Sequence, residues 1–167
     1  MHVLILIGSE SDGPVMQAAR DVLGELGLAC EMTVASAHRS PARVRRLVEQ
    51  APGRGVKVFI VGAGAAAHLA GVVAAHTTLP VIGVPIDSSA LKGLDALLST
   101  VQMPLGVPVA TVSIGKPGAT NAGILAAQIL AIADPEVARR VELYRERLAE
   151  EVEQAARRMA AATQSVT

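Results

Sequence analysis

The chain has 167 residues, a length suited to one domain, and its 15 basic side chains balance 15 acidic ones. That balance and the 1% aromatic content argue against nucleic acid and anionic membranes as partners. The single cysteine, Cys30, excludes a disulfide framework and predicts a buried structural thiol. Because no apolar run reaches about 20 residues and the N-terminus reads as a strand, we expect a soluble cytoplasmic protein.

Apolar runs alternate with amphipathic segments along most of the chain. In chain order we predict strands at Val3 to Ile7, Ala29 to Ala35, Val56 to Val61, Pro80 to Pro85 and Val107 to Ile114. Helices are predicted from Pro14 to Leu26, with Gly27 ending the helix, and from Pro41 to Gln50, with Ser40 as its cap. The other predicted helices are a short one after Gly71 that runs through Ala75, one from Leu94 to Thr100 and one from Thr120 to Ile132. This alternation is typical of βαβ units. It predicts a single α/β domain over residues 1–167, a three-layer α/β/α fold whose five-stranded parallel sheet is flavodoxin-like or Rossmann-like.

The C-terminal segment 135–162 has a different pattern. Apolar residues recur there at steps of three or four, and most other positions are Arg, Glu or Gln. The segment is predicted to form one amphipathic helix of about seven turns. Because such a helix is too long to pack wholly on one small sheet, we expect it to pack in a homo-oligomer.

Polar loops follow four of the predicted strands, at Ser9 to Asp12, Ser36 to Ser40, Gly62 to Leu69 and Gly115 to Asn121. In a parallel sheet these loops lie at one edge, where ligands of α/β proteins bind. Hydroxyls and backbone N–H groups at helix starts suit a phosphate, and Arg39 adds a cationic fork. Asp12 suits a pair of sugar hydroxyls. The sequence therefore predicts a site for a phosphorylated ligand.

Simpler interpretations remain open for each of these residues. Ser11 and Asp12 can be only helix caps, Arg39 a surface ion pair, and His38 and His68 histidines without a role. No Gly-Lys-Ser/Thr sequence marks a P-loop, and no His spacing indicates a metal site. From the residues alone, the chemistry stays undefined.

Several motifs together make the sequence similar to a known family. It resembles the N5-carboxyaminoimidazole ribonucleotide mutases of purine biosynthesis over roughly residues 3–134. The resemblance rests on Gly8-Ser9-Glu10-Ser11-Asp12, Ser36-Ala37-His38-Arg39-Ser40-Pro41, Gly62-Ala63-Gly64, Ala66-Ala67-His68-Leu69, Leu79 to Pro85, Leu97-Leu98-Ser99, Val101 to Pro104, Gly106 to Val112 and Gly118 to Gly123. The family also contains an aminoimidazole ribonucleotide carboxylase that uses free CO2 and typically carries Lys after the loop histidine, so Arg39 favours the mutase.

The resemblance implies roles for these residues. His38 and His68 are the implied catalytic pair, with His38 as general acid and base and His68 helping to hold the carboxylate or CO2. The implied substrate-binding residues are Ser9, Ser11, Asp12, Ser36, Ala37, Arg39, Gly64 and Leu69. It also implies a ribonucleotide substrate, no metal, no cofactor and a homo-octamer. Ala65, Ala70 and Val72 depart from the family's usual Gly, Pro and Met. A non-catalytic nucleotide-sensing domain remains the alternative from another class.

Overall fold

A parallel five-stranded sheet forms the centre of the protein, as seen in a computed structural model that describes residues 2–164. The sheet has the order β2-β1-β3-β4-β5, and every neighbouring pair is parallel. The strands are β1 (Val3–Ile7), β2 (Cys30–Val34), β3 (Val58–Gly64), β4 (Val81–Ile86) and β5 (Ala110–Thr111). The predicted α/β class and the parallel sheet are confirmed.

Over the described residues 2–164, six α-helices cover the two faces of the sheet. They are α1 (Gly13–Glu25), α2 (Pro41–Gln50), α3 (Leu69–Ala75), α4 (Leu94–Val101), α5 (Gly115–Ala131) and α6 (Pro135–Gln164). Helices α1 and α5 and the start of α6 pack on one face, and α2, α3 and α4 pack on the other. The central layer therefore lies between two separate apolar cores.

Strand β1 shows why the sheet is covered on both sides. Val3, Ile5 and Ile7 belong to the core under α1 and α5, while Leu4 and Leu6 belong to the core under α2 and α3. All five side chains are nearly fully buried. A continuous apolar run is typical of a parallel strand buried on both faces, because successive side chains point to opposite sides.

The helix boundaries follow local backbone chemistry. Gly27 adopts a left-handed conformation with φ of 67° and ends α1, as predicted. Proline at the start of α2 also matches the prediction. The Ser40 side chain, however, does not cap α2 as expected, because its hydroxyl donates to the Ser36 carbonyl oxygen at 3.2 Å instead. That bond closes the loop that carries His38 and Arg39.

The fifth strand and the helix after it differ from the prediction. We expected a strand from Val107 to Ile114, but only Ala110 and Thr111 pair with β4. Pro108 has no N–H group to donate to a neighbouring strand, so ladder pairing cannot extend over the predicted length. Helix α5 begins at Gly115 and not at Thr120, because Gly115 takes a φ of 75° that turns the chain directly into the helix.

Cys30 is half-buried, so the expectation of a buried thiol is only partly met. It lies on β2, one of the two edge strands of the described sheet, where one side has no neighbouring strand. Burial raises the pKa of the thiol. Nothing about this position indicates a reactive cysteine.

Helix α6 extends beyond the rest of the domain. Val137 and Val141 are buried against the core, whereas Leu148 and Val152 are 42% and 68% exposed. Within residues 2–164, no helix combines the length and the apolar character needed to cross a bilayer.

Candidate active site

The loops that follow β1, β2 and β3 enclose a cavity of about 330 Å³ at the carboxyl edge of the sheet. Nine of the ten predicted site residues line it: Ser9, Ser11, Asp12, Ser36, Ala37, His38, Arg39, Gly64 and Leu69. The tenth, His68, does not line the cavity but contacts His38. The cavity is the size of a typical small-ligand site.

Two histidines meet across this edge of the sheet. His38 Nε2 and His68 Nδ1 are 2.8 Å apart, and the two rings pack edge to face with 5.0 Å between their centroids. Because a hydrogen bond needs one donor and one acceptor, the two facing nitrogens can share only one proton in this arrangement. The pair can therefore give up or accept a proton beside the cavity.

Arg39 connects two of the loops. Its backbone N–H and its Nε both donate to Ser36 Oγ, at 3.2 and 3.3 Å, and its Nη2 donates to the Gly8 carbonyl oxygen at 3.1 Å. These bonds fix the guanidinium in the wall of the cavity, which Ser9 and Ser11 also line. A fixed guanidinium with hydroxyls around it suits a phosphate group.

Asp12 is nearly fully buried at the start of α1. Its Oδ2 accepts a hydrogen bond from the backbone N–H of Ser9 at 2.9 Å. Burial raises the pKa of the Asp12 carboxyl, and the Ser9 N–H and the nearby Arg39 charge oppose that rise. The side chain acts within a local capping arrangement and also lines the cavity, so the capping role and the site role are combined.

The raised pKa of Asp12 predicts a pH effect on stability. The contribution of Asp12 to the free energy of unfolding is fully present below the ordinary carboxyl pKa and is lost as pH rises through the raised folded-state pKa. The Asn side chain of Asp12→Asn does not titrate, so the variant does not lose stability in this way. We therefore expect the melting temperature of the variant to rise relative to that of the parent protein between about pH 3 and pH 7. Thermal unfolding across this range measures the difference, and a difference that moves in the opposite direction contradicts the assignment.

The third loop differs from the prediction at its start. Gly62 and Gly64 belong to β3 and not to a loop. Gly62 lies against Met16, whose Sδ would be 2.5 Å from an added Cβ, so this glycine serves packing between β3 and α1. Ala65 takes a φ of 52°, in the left-handed region. That conformation costs an alanine about 1–2 kcal/mol, so the loop before His68 holds local strain.

The fourth predicted loop does not contribute to this cavity. Residues 115–121 form the first turns of α5, and none of them lines it. Instead the loop after β4 contributes Ser88, which was not predicted from the sequence. Gly8, Ala63 and Ala66 were also missed as lining residues. Their position directly beside predicted residues was the available signal.

The chain is similar to known proteins over most of its length. The family model described as AIR carboxylase matches residues 2–151. The chain belongs to the AIR carboxylase family. A Thermotoga maritima protein named N5-carboxyaminoimidazole ribonucleotide mutase is 55% identical over 158 residues, which are 95% of this chain and 91% of that protein. A Bacillus subtilis protein of the same name is 58% identical over 142 residues, which are 85% of this chain and 88% of that protein.

Solved structures of family members have the same fold. The crystal structure of Treponema denticola PurE superposes with a TM-score of 0.82 at 29% identity, covering 91% of this chain and 94% of that one. The crystal structure of a singly substituted form of the Treponema denticola protein gives a TM-score of 0.84 at 28% identity and covers 93% and 96% of the two chains. The AIR carboxylase fold thus extends over nearly the whole chain.

Proposed function

We propose that this AIR carboxylase family member is a mutase that converts N5-carboxyaminoimidazole ribonucleotide to 4-carboxy-5-aminoimidazole ribonucleotide in purine biosynthesis. The main support for the proposal is the hydrogen bond between His38 and His68, which lie beside a cavity in which Arg39 is held in place. Relatives that are 50–58% identical are named for this reaction, which supports the mutase over other activities of the fold.

The cavity suits the parts of such a substrate. In the proposed complex Arg39 and the hydroxyls of Ser9, Ser11 and Ser36, which all line the cavity, bind the phosphate. Asp12 accepts hydrogen bonds from the ribose hydroxyls in that complex, and Gly64 and Leu69 provide an apolar surface for the imidazole ring. Ala37 completes the wall beside His38.

The proposed reaction needs one proton to be given and one to be removed. Cleavage of the carbamate N–C bond releases CO2, and the exocyclic nitrogen takes a proton from His38. The electron-rich C4 then attacks the trapped CO2, and His38 removes the proton that C4 carried. His68 holds the His38 ring through the 2.8 Å contact and can exchange the proton with it. No net proton, electron or phosphate is consumed.

Changing Arg39 to Ala tests the phosphate contact. A lost hydrogen bond to a charged group weakens binding by about 1.5–3 kcal/mol, which is roughly 10-fold to 150-fold in dissociation constant. Arg45→Ala is the control, because Arg45 is an exposed residue of α2 that pairs with Glu49 on the surface. Calorimetric titration with the product ribonucleotide measures both variants. An unchanged affinity in Arg39→Ala contradicts the proposed contact.

A carboxylase that takes up free CO2 is the second candidate, because the matching family model carries that description. The two activities start from different substrates. We expect product to form from the carbamate ribonucleotide without ATP, and to form far more slowly from aminoimidazole ribonucleotide with bicarbonate. The reverse order of rates favours the carboxylase, and no turnover of either substrate favours a nucleotide-sensing domain.

We propose further that the protein is a homo-oligomer, with an octamer expected from the resemblance. The exposed apolar residues of α6 and a second group around α4 support an interface between copies. The second group comprises Leu91, Leu94, Leu98, Val101 and Leu105, which are 46–105% exposed. Light scattering measures the assembly, and a monomer contradicts the proposed homo-oligomer.

We also propose a cytoplasmic location, since a phosphorylated substrate does not cross membranes.

A further inference from the structure

Ser88 lies in the cavity without an assigned role. It follows β4 at the carboxyl edge of the sheet and lines the cavity together with His38 and Arg39. Within the described part of the chain, its hydroxyl has no hydrogen-bond partner. The hydroxyl is therefore available to a ligand.

The backbone opposite Ser88 leaves space for its hydroxyl beside Gly64. A Cβ added to Gly64 would lie 1.8 Å from Ser88 Oγ and 2.9 Å from Ser88 Cβ. Any side chain at residue 64 would therefore displace the hydroxyl. The bare Gly64 backbone lets Ser88 reach the part of the cavity that β3 and β4 enclose.

The strand order sets the direction of a bound ribonucleotide. Arg39 follows β2 and Asp12 follows β1, while Gly64 and Ser88 lie at the ends of β3 and β4. A phosphate on Arg39 and a ribose on Asp12 place the imidazole ring over the β3–β4 end. His38 reaches toward the same end, because it contacts His68 in the loop after β3.

That end of the cavity offers few polar side chains. The lining residues contributed by β3, β4 and the segments that follow them are Ala63, Gly64, Ala66, Leu69 and Ser88. Only Ser88 among them has a side-chain hydrogen-bonding atom. A carboxylate attached to the imidazole would therefore lie between the Ser88 hydroxyl and His38, and the proposed reaction already uses His38 for proton transfer.

We infer that Ser88 donates a hydrogen bond to the carboxyl group of the substrate and product, and so gives the cavity its preference for carboxylated over decarboxylated imidazole ribonucleotides. The inference rests on the proposed function, whose substrate and product both carry this carboxyl group. It makes Ser88 a specificity-determining residue. Removal of the Ser88 hydroxyl should weaken the binding of a ligand that carries the carboxylate more than that of a ligand that lacks it.

Calorimetric titration with two ligands tests this role. The probes are 4-carboxy-5-aminoimidazole ribonucleotide and 5-aminoimidazole ribonucleotide, which lacks the carboxylate. In Ser88→Ala we expect the first to bind on the order of 10-fold to 100-fold more weakly and the second to bind within about two-fold of the parent value. Ser89→Ala is the matched control, because Ser89 Oγ accepts a bond from the Leu91 N–H in a turn and does not line the cavity.

Failure of the Ser88 role and failure of the proposed mutase function give different results. Equal weakening of both ligands in Ser88→Ala, or no weakening of either, overturns the role of Ser88 while leaving the mutase proposal intact. Absence of mutase turnover in the parent protein overturns the proposed function, whereas the ratio of the two affinities still decides whether Ser88 recognises the carboxylate. Thermal unfolding of Ser88→Ala, expected to match the parent protein, shows that altered binding does not come from misfolding.

Discussion

Replacing His38 with Asn should reduce the turnover number by roughly 10²-fold to 10⁴-fold, the usual contribution of general acid–base catalysis. Asn is smaller, and its amide stops short of the position of His38 Nε2, so the contact with His68 is lost as well. Asn cannot give or accept a proton near neutral pH, so both proton-transfer steps lose their catalyst. Product affinity should remain within a few-fold of the parent value, since the Arg39 and Asp12 contacts are unchanged.

His76→Asn is the control for this change. His76 lies at the end of α3, outside the cavity, and is exposed. We expect its turnover to match that of the parent protein. Steady-state kinetics with the carbamate substrate measures both variants. Near-normal turnover in His38→Asn would remove His38 from the mechanism, and a large loss in His76→Asn would point to an indirect effect.

The largest effect on stability is expected at Gly118 in α5. A Cβ at this position would lie 1.6 Å from the Ser113 carbonyl oxygen, which belongs to the backbone and cannot rotate away. Gly118→Ala must therefore displace the turn between β5 and α5. We expect it to lower the free energy of unfolding by about 3 kcal/mol or more. For a domain of this size the melting temperature should fall by roughly 6–12 °C.

Gly24→Ala provides a matched substitution within a helix. An added Cβ at Gly24 in α1 meets nothing within 4 Å, so the helix should gain about 0.5–1 kcal/mol from the alanine. Thermal unfolding at equal protein concentration compares the two variants. A Gly118→Ala protein that melts within about 2 °C of the parent would show that this turn can move at little cost.

The parts of the fold set by local patterns could be predicted from the sequence. The run from Val3 to Ile7 has too many β-branched residues for a helix, and its continuous apolar character indicates burial on both faces. Gly27 ended its helix as predicted because only glycine takes that conformation easily. The fifth strand was overestimated, since hydropathy does not show where pairing with a neighbouring strand stops.

The part of the site that follows from the sheet topology could be predicted from the sequence. Loops after parallel strands meet at one edge, so the prediction brought His38, Arg39 and Asp12 together correctly. The contact between His38 and His68 spans 30 residues and depends on how two loops bend over β1. Spacing alone contains no such information. Ser88 was missed because a serine in a polar turn carries no distinguishing pattern.

In the proposed mechanism the carboxyl carbon stays in the cavity while it moves from nitrogen to carbon. The most direct test uses a carbamate substrate labelled with ¹³C in its carboxyl group, with excess unlabelled bicarbonate and no ATP. Carbon NMR of the product should show the label at the ring carboxylate with little dilution. Product whose carboxylate carries the unlabelled carbon of the bicarbonate would contradict the trapped-CO2 mechanism and show that the protein takes up free CO2.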